Sequence, residues 1–318
     1  MEATNKAPVN DLIFNELIKR GYALDGNTRI WNIADSKLWY LTPEQSQAFL
    51  DLEGSKEYQE EIIQKEMDLI NGNIKEMLAT LGGDPLNIID LGCGDGKKAV
   101  LFIDHLKDRM KLRYCPIDIS SYMVERAIEK IMKMDVGEVV QFQWNISDFE
   151  NLKDVSFLLR YGEYKKNLML LLGNTLGNFE INELLYQIRN SMSEGDMILI
   201  GNGLDNRNEE DILKSYDTNK MNDFLIKIIE QLGLSSKEVT FGARFINSRV
   251  EMYYTLNGDV VINFQKKKIE FNKGDQIIVA ISYKYNQEDF RTFLSMYFDV
   301  PMLQVSEDKS YVLALCKK

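Results

Sequence analysis

The stretch Asn87-Ile88-Ile89-Asp90-Leu91-Gly92-Cys93-Gly94-Asp95-Gly96 joins an apolar run, an acid and three glycines at every second position. Such a run predicts a strand entering a turn of bare backbone, where a ligand can lie against main-chain amides. The glycine spacing is GxGxG. The dinucleotide fingerprint is GxGxxG, whose last glycine lets a helix pack closely beneath a pyrophosphate, so no pyrophosphate is expected. A second acid, Asp118, closes the apolar run 111–117, and a carboxylate there can accept both hydroxyls of a ribose. A third, Asp148, precedes Phe149, an acid and an aromatic face where such folds contact adenine. Nucleophilic and metal chemistry find few residues to use. The one histidine, His105, falls in the helix after the glycine turn and reads as structural, so a Ser-His-Asp triad or a histidine-rich metal site is not expected. Cys93, Cys115 and Cys316 have neither metal nor disulfide spacing and read as core residues of a reducing compartment.

The elements that must position these groups follow in order. A helix is expected over 97–109, a strand over 111–118, a helix over 122–134 capped by Ser120, and an alternating strand over 138–144. The nearly continuous apolar runs 167–173 and 196–201 read as buried parallel strands. A helix over 286–297 and two strands, 302–305 and 311–315, around the turn 306–309 close the chain. This is an α/β doubly wound sheet ending in an antiparallel strand. Two blocks stand outside it, 1–62 and 205–282. The second holds strand signals at 250–256, 260–265, 268–271 and 276–285, with a turn at Asn257-Gly258-Asp259, and predicts a small antiparallel meander. The expected domains are therefore 63–204 with 283–318, carrying the glycine turn, and 1–62 with 205–282, an α+β substrate-binding domain.

Composition narrows the class. A chain of 318 residues can bury one large or two medium cores. Its 38 basic and 49 acidic residues leave a charge of −11, which disfavours nucleic acid as a partner. The only basic run, Lys266-Lys267-Lys268, reads as a solvated strand end or turn. No apolar segment is long enough to span a bilayer and the first residues lack a signal-peptide core, so a cytoplasmic protein without membrane contact is expected.

The glycine turn resembles motif I of class I methyltransferases, where the loop curls round the amino-acid end of S-adenosylmethionine. The closing antiparallel strand is also typical of that Rossmann-like fold. Over nearly the whole chain the motifs resemble the ergothioneine-pathway histidine Nα-methyltransferases and fungal relatives that N-methylate dimethylallyltryptophan. They are Lys37-Leu38-Trp39-Tyr40, Glu57-Tyr58, Asp90 to Gly94, Pro116 to Ser120, Gly173-Asn174-Thr175-Leu176-Gly177-Asn178, Ser215-Tyr216-Asp217, Arg249-Val250-Glu251-Met252 and Ser282-Tyr283-Lys284-Tyr285. The resemblance implies S-adenosylmethionine as cofactor, held by Asp90, Gly92, Gly94, Gly96, Asp118, Asp148 and Phe149. It also implies a small-molecule amine or amino acid as acceptor. Asn178 would contact its amino and carboxylate groups, Tyr40 and Tyr58 would line the amine side, and Tyr216 would reach the carboxylate. No metal is implied, and the oligomeric state is left open, a monomer being compatible with it.

One departure bears on specificity. Histidine-specific members carry Glu-x-Ser-x-Lys, and their glutamate and serine hold the imidazole; here the run is Ala280-Ile281-Ser282-Tyr283-Lys284. Losing a charged hydrogen-bond partner in a buried site costs about 1.5–3 kcal/mol, roughly 10- to more than 100-fold in affinity. Histidine is therefore not the expected acceptor, and the gap beside Met252 and Phe245 suits an indole, a phenol or an alkyl group. The expected reaction is in-line attack of an acceptor nitrogen on the sulfonium methyl. The competing readings are a same-fold methyltransferase with a carboxylate, thiol or protein acceptor, and a non-catalytic binder of the cofactor.

Overall fold

The computed structural model describes residues 9–134 and 136–318, which fall into two compact units. One unit is Lys56–Asn208 with Tyr283–Lys318, and the other is the chain up to Ser55 with Glu209–Ser282.

The first of these is built on seven strands: β1 (Leu86–Leu91), β2 (Leu112–Ile117), β3 (Glu138–Val139), β4 (Lys166–Leu171), β5 (Met197–Gly203), β6 (Asp299–Val305) and β7 (Tyr311–Lys317). Their order is β6-β7-β5-β4-β1-β2-β3, and β7 runs antiparallel to both of its neighbours. This is the arrangement expected of the class I methyltransferase fold. The central strands are apolar throughout because both sheet faces are covered. Ile88, Tyr114, Leu168 and Leu199 enter one buried layer, and Ile89, Cys115, Met169 and Ile198 enter the other. Each such side chain contributes about 1.5–3 kcal/mol on burial, which makes the sheet a rigid base for the loops at its strand ends.

Two expectations are corrected. The strand expected over 138–144 pairs only at Glu138 and Val139, and residues Gln143–Asn145 form a 3₁₀ turn. The physical cause is Pro116. Val140 still donates to the Tyr114 carbonyl (2.8 Å), but the next bond of a parallel ladder needs an N–H from position 116, and proline has none. Asn145 then turns the chain, its amide reaching the Pro116 carbonyl (2.6 Å) and accepting from the Phe142 N–H (2.5 Å). The second correction is the meander. Val260–Phe264 and Lys267–Phe271 form a separate two-stranded hairpin turning at Gln265-Lys266, both with positive φ. Arg249–Leu256 and Gln276–Tyr283 instead join a five-stranded sheet ordered Tyr22–Asp25, Thr28–Asn32, Gln276–Tyr283, Arg249–Leu256, Val239–Ile246. Within it Gln276–Tyr283 runs parallel to Thr28–Asn32, a pairing local patterning cannot show.

The unit boundaries fall at 55/56 and 208/209 rather than at 62/63 and 204/205. Lys56–Tyr58, a π turn over Gln59–Ile63 and the helix Gln64–Leu81 form one continuous run packed on β7, so residues 56–62 stay with that helix. No helix among the described residues is long and apolar enough to cross a membrane.

Candidate cofactor and acceptor sites

At the end of β1 the backbone takes φ values of 66°, 51° and 78° at Gly92, Gly94 and Gly96. Residues with a Cβ rarely adopt that conformation. The glycines also differ in what surrounds them. A Cβ on Gly92 would stand 3.1 Å from the Thr175 side chain, and one on Gly96 would stand 3.1 Å from the Ala127 backbone, so both allow close packing. A Cβ on Gly94 would meet nothing within 4 Å: the loop is open there and can receive a ligand.

Asp118, just beyond β2, is 9% exposed and holds this loop. One carboxylate oxygen accepts from the Gly94 N–H (3.1 Å) and the other from the Ser120 N–H (3.0 Å). Burial pushes its pKa up while these backbone bonds pull it down. A carboxylate offers about four acceptor sites, so two remain for ribose hydroxyls. Asp90 is placed differently. It is buried under the loop, accepts from the Tyr114 hydroxyl (2.7 Å), and is raised to about 6 by burial. Lys98 lowers both acids, its charge acting on Asp90 and on Asp118. Asp148 caps the 3₁₀ turn Phe149–Asn151 by accepting from the Glu150 N–H (3.1 Å), and the buried Phe149 ring lies 5.5 Å from that of Phe179. The open glycine loop and its buried acid fit the amino-acid and ribose parts of S-adenosylmethionine.

The turn after β4 is the second polar centre of this unit. Gly173 and Asn174 have φ of 70° and 64°, and Thr175–Asn178 form a 3₁₀ turn. Asn174 therefore supplies the left-handed residue, and Asn178 does not. The Asn174 side-chain oxygen accepts from the Gly203 N–H (2.8 Å) and from the buried Lys284 ammonium (3.0 Å). Asn178 is half-buried, and its amide makes no hydrogen bond among the described residues. Tyr58, 7% exposed, stands where the π turn begins. Glu66, fully buried, accepts from the Gly173 N–H with both oxygens. The sequence reading gives no role to Glu66, Lys98, Asn174 or Lys284. A signal was present in Gly201-Asn202-Gly203: a Cβ on Gly203 would stand 2.9 Å from the Lys284 Nζ, and one on Gly201 would overlap the Glu66 carboxylate.

In the other unit the structure brings two expected acceptor residues into contact. The Tyr216 hydroxyl and Ser282 Oγ lie 3.1 Å apart, with side chains 5% and 2% exposed. Ala280, 1% exposed, sits two residues before Ser282 and so on the same sheet face. Met252, equally buried, lies on the neighbouring strand and pairs with Ala243 of the next. Glu251, next to Met252 and so on the opposite side of that strand from it, is engaged by Arg244 (2.7 Å) and Arg249 (2.5 Å). Trp39 donates its indole N–H to the Val279 carbonyl (3.0 Å), tying the Lys37 to Tyr40 segment to the strand of Ala280. Tyr40 joins an aromatic group with Phe49 (5.4 Å, edge-on) and Phe224 (5.9 Å).

Comparison with known proteins gives a match of residues 43–318 to the family described as histidine-specific, S-adenosylmethionine-dependent methyltransferases. The N-methyltransferase dtpB of Aspergillus flavus is 23% identical over 273 residues, covering 77% of this chain and 73% of that protein. Among solved structures, the PH0226 protein of Pyrococcus horikoshii OT3 aligns with a TM-score of 0.47 at 11% identity, over 87% of this chain and 99% of that one. The DhpI-SAH complex aligns with a TM-score of 0.38 at 11% identity, over 86% and 95%.

Proposed function

This chain belongs to the histidine-specific, S-adenosylmethionine-dependent methyltransferase family, and we propose that it methylates the α-amino group of an amino acid or related small amine other than histidine. The observation that carries this reading is the buried Tyr216–Ser282 hydroxyl pair with Ala280 beside it. In the resemblance to the histidine enzymes that position holds a glutamate. Here that position offers a methyl group beside two neutral hydroxyls, and the carboxylate of Glu251 on the neighbouring strand is engaged by two arginines. A charged or strongly polar side chain would be stranded against such a surface, whereas an indole, phenol or alkyl group gains burial.

When bound, S-adenosylmethionine supplies an electrophilic methyl carbon on a sulfonium that is already a good leaving group. This chain's residues bind and orient. The open side of Gly94 and the remaining lone pairs of Asp118 would hold the cofactor, with Asp148 and Phe149 at the adenine. Asn178 can donate to a carboxylate and accept from an amine with one amide. Its lack of a hydrogen-bond partner among the described residues supports that role. Tyr216 would reach the acceptor carboxylate, and Tyr40 and Tyr58 the amine side, where aromatic faces favour a cationic nitrogen by about 0.5–2 kcal/mol each. The acceptor amine must be neutral to attack. The one histidine contacts Asn71 at 3.4 Å, and a tyrosine-held water or binding of the minor neutral amine would supply the neutral nucleophile.

The test is methyl transfer from labelled S-adenosylmethionine to a panel of histidine, tryptophan, tyrosine, phenylalanine, leucine and biogenic amines, run beside a protein extract. Label is expected in a small non-histidine amine. Label confined to the extract, or histidine as the best acceptor, would overturn the reading.

A further inference from the structure

We infer that Glu66 is a positioning residue for cofactor binding: from the helix Gln64–Leu81 its carboxylate fixes the turn that packs on the glycine loop. The inference uses the cofactor of the family and is independent of which amine is the acceptor.

A fully buried carboxylate is costly unless its oxygens are satisfied, and three separate elements are shaped around this one. The Gly173 N–H donates to both oxygens, at 2.9 and 3.0 Å. The Tyr311 hydroxyl of β7 donates to Oε1 at 2.7 Å. Strand β5 gives up its side chain at Gly201, where a Cβ would overlap the carboxylate. Gly201 is not among the residues of positive φ, so room for Glu66 is the reason for a glycine in mid-strand. From Gly173 the constraint passes onward. The Thr175 hydroxyl bonds back to the Leu172 carbonyl (2.7 Å), and its side chain stands 3.1–3.2 Å from where a Gly92 Cβ would be. Gly92 is the first glycine of the loop. On its other side Gly173 meets the Lys98 ammonium, whose charge acts on Asp90 and Asp118. The route from Glu66 to the cofactor loop thus runs from Gly173 along its turn to Thr175, and from Thr175 to Gly92.

The experiment is calorimetric titration of the full chain with S-adenosylhomocysteine, paired with thermal unfolding. Glu66→Gln keeps the shape but loses one acceptor oxygen and the charge, and should weaken binding about tenfold, the size of one hydrogen bond to a charged group. Gly201→Ala, which displaces the carboxylate without altering it, should weaken binding by a similar factor. Tyr311→Phe leaves both bonds to Gly173 and should change affinity by no more than about threefold. Asp196→Asn is the control. That carboxylate is as buried but serves Asn167, Ser193 and Arg160 at the opposite end of the strands, so melting temperature should fall with affinity unchanged. Hydrogen exchange over residues 172–178 should quicken in Glu66→Gln and not in Asp196→Asn. A Glu66→Gln protein that melts earlier yet binds within twofold of wild type would reduce Glu66 to a structural residue. Should that variant not fold, equal affinities for Gly201→Ala and Tyr311→Phe would overturn the inference equally.

Discussion

The turn Gly173–Asn178 and the strand Gln276–Tyr283 both present polar groups from buried backbone, but they are held by opposite means. The turn is gripped by ions: the Glu66 carboxylate on the Gly173 amide and the Lys284 ammonium on Asn174. The strand is held by sheet pairing, and the hydroxyl of its Ser282 meets that of Tyr216. The difference follows from geometry. Left-handed residues leave the ladder, so their amides need side-chain partners, and a buried charge is the strongest partner available. A strand's amides are already paired, which frees its side chains to define a pocket by shape and polarity. On the proposed function, cofactor recognition thus rests on backbone conformation, and acceptor recognition on the identity of a few side chains.

That contrast breaks most sharply at Gly94. Its φ of 51° excludes a β-branched residue at about 1–3 kcal/mol, and its open side would be filled. Gly94→Val should therefore weaken S-adenosylhomocysteine binding by about a hundredfold or more, measured by calorimetry, while the melting temperature falls only by what that backbone strain accounts for, since a Cβ there touches nothing else. Binding within a few-fold of wild type would show that the open side of the loop is not where the ligand lies.

The next effect separates the two kinds of recognition. Asn178→Ala should cut turnover of the best acceptor about tenfold, as expected for a lost hydrogen bond to a charged group, while S-adenosylhomocysteine affinity stays put. The structure sharpens this prediction, because Asn174 rather than Asn178 carries the strained geometry. Parallel loss of acceptor turnover and cofactor affinity would place Asn178 with the turn's own architecture.

The contrast also explains what the sequence could reveal. Gly92, Gly94 and Gly96 are legible because three positive φ values in five residues strongly favour glycine, and Asp118 because the acid falls where a strand must stop. Their partners are not legible. Glu66 finds Gly173 across 107 residues and Lys284 finds Asn174 across 110, and no local pattern encodes either meeting. Glycines inside β5 were the available clue, since a strand interior loses stability by including them unless something must approach. The short β3 was hidden for a related reason: alternation over 138–144 is a property of one segment, whereas Pro116, which ends the pairing, lies on another. In the other unit, motif positions named Tyr216 and Ser282, but the 66 residues between them concealed that they form one hydroxyl pair.

The smallest effect is expected at Ala280, where the proposed reading puts acceptor identity. Wild-type protein should methylate histidine poorly, and Ala280→Glu should raise histidine use relative to tryptophan, tyrosine or leucine by several-fold, up to about ten. The carboxylate would stand on the same face as Ser282, two residues along, and give an imidazole N–H a charged acceptor. It would also leave an apolar acceptor side chain facing an uncompensated charge, so the two effects move the ratio in one direction. The gain is bounded by cost, because position 280 is 1% exposed and a carboxylate there would lose most of its hydration. A lower melting temperature should accompany the shift, and the ratio of kcat/KM values for the competing amines, measured in one mixture, is insensitive to that loss of folded enzyme. A ratio that does not move, or a wild-type enzyme that already prefers histidine, would mean that the face of Ser282 does not read the acceptor side chain.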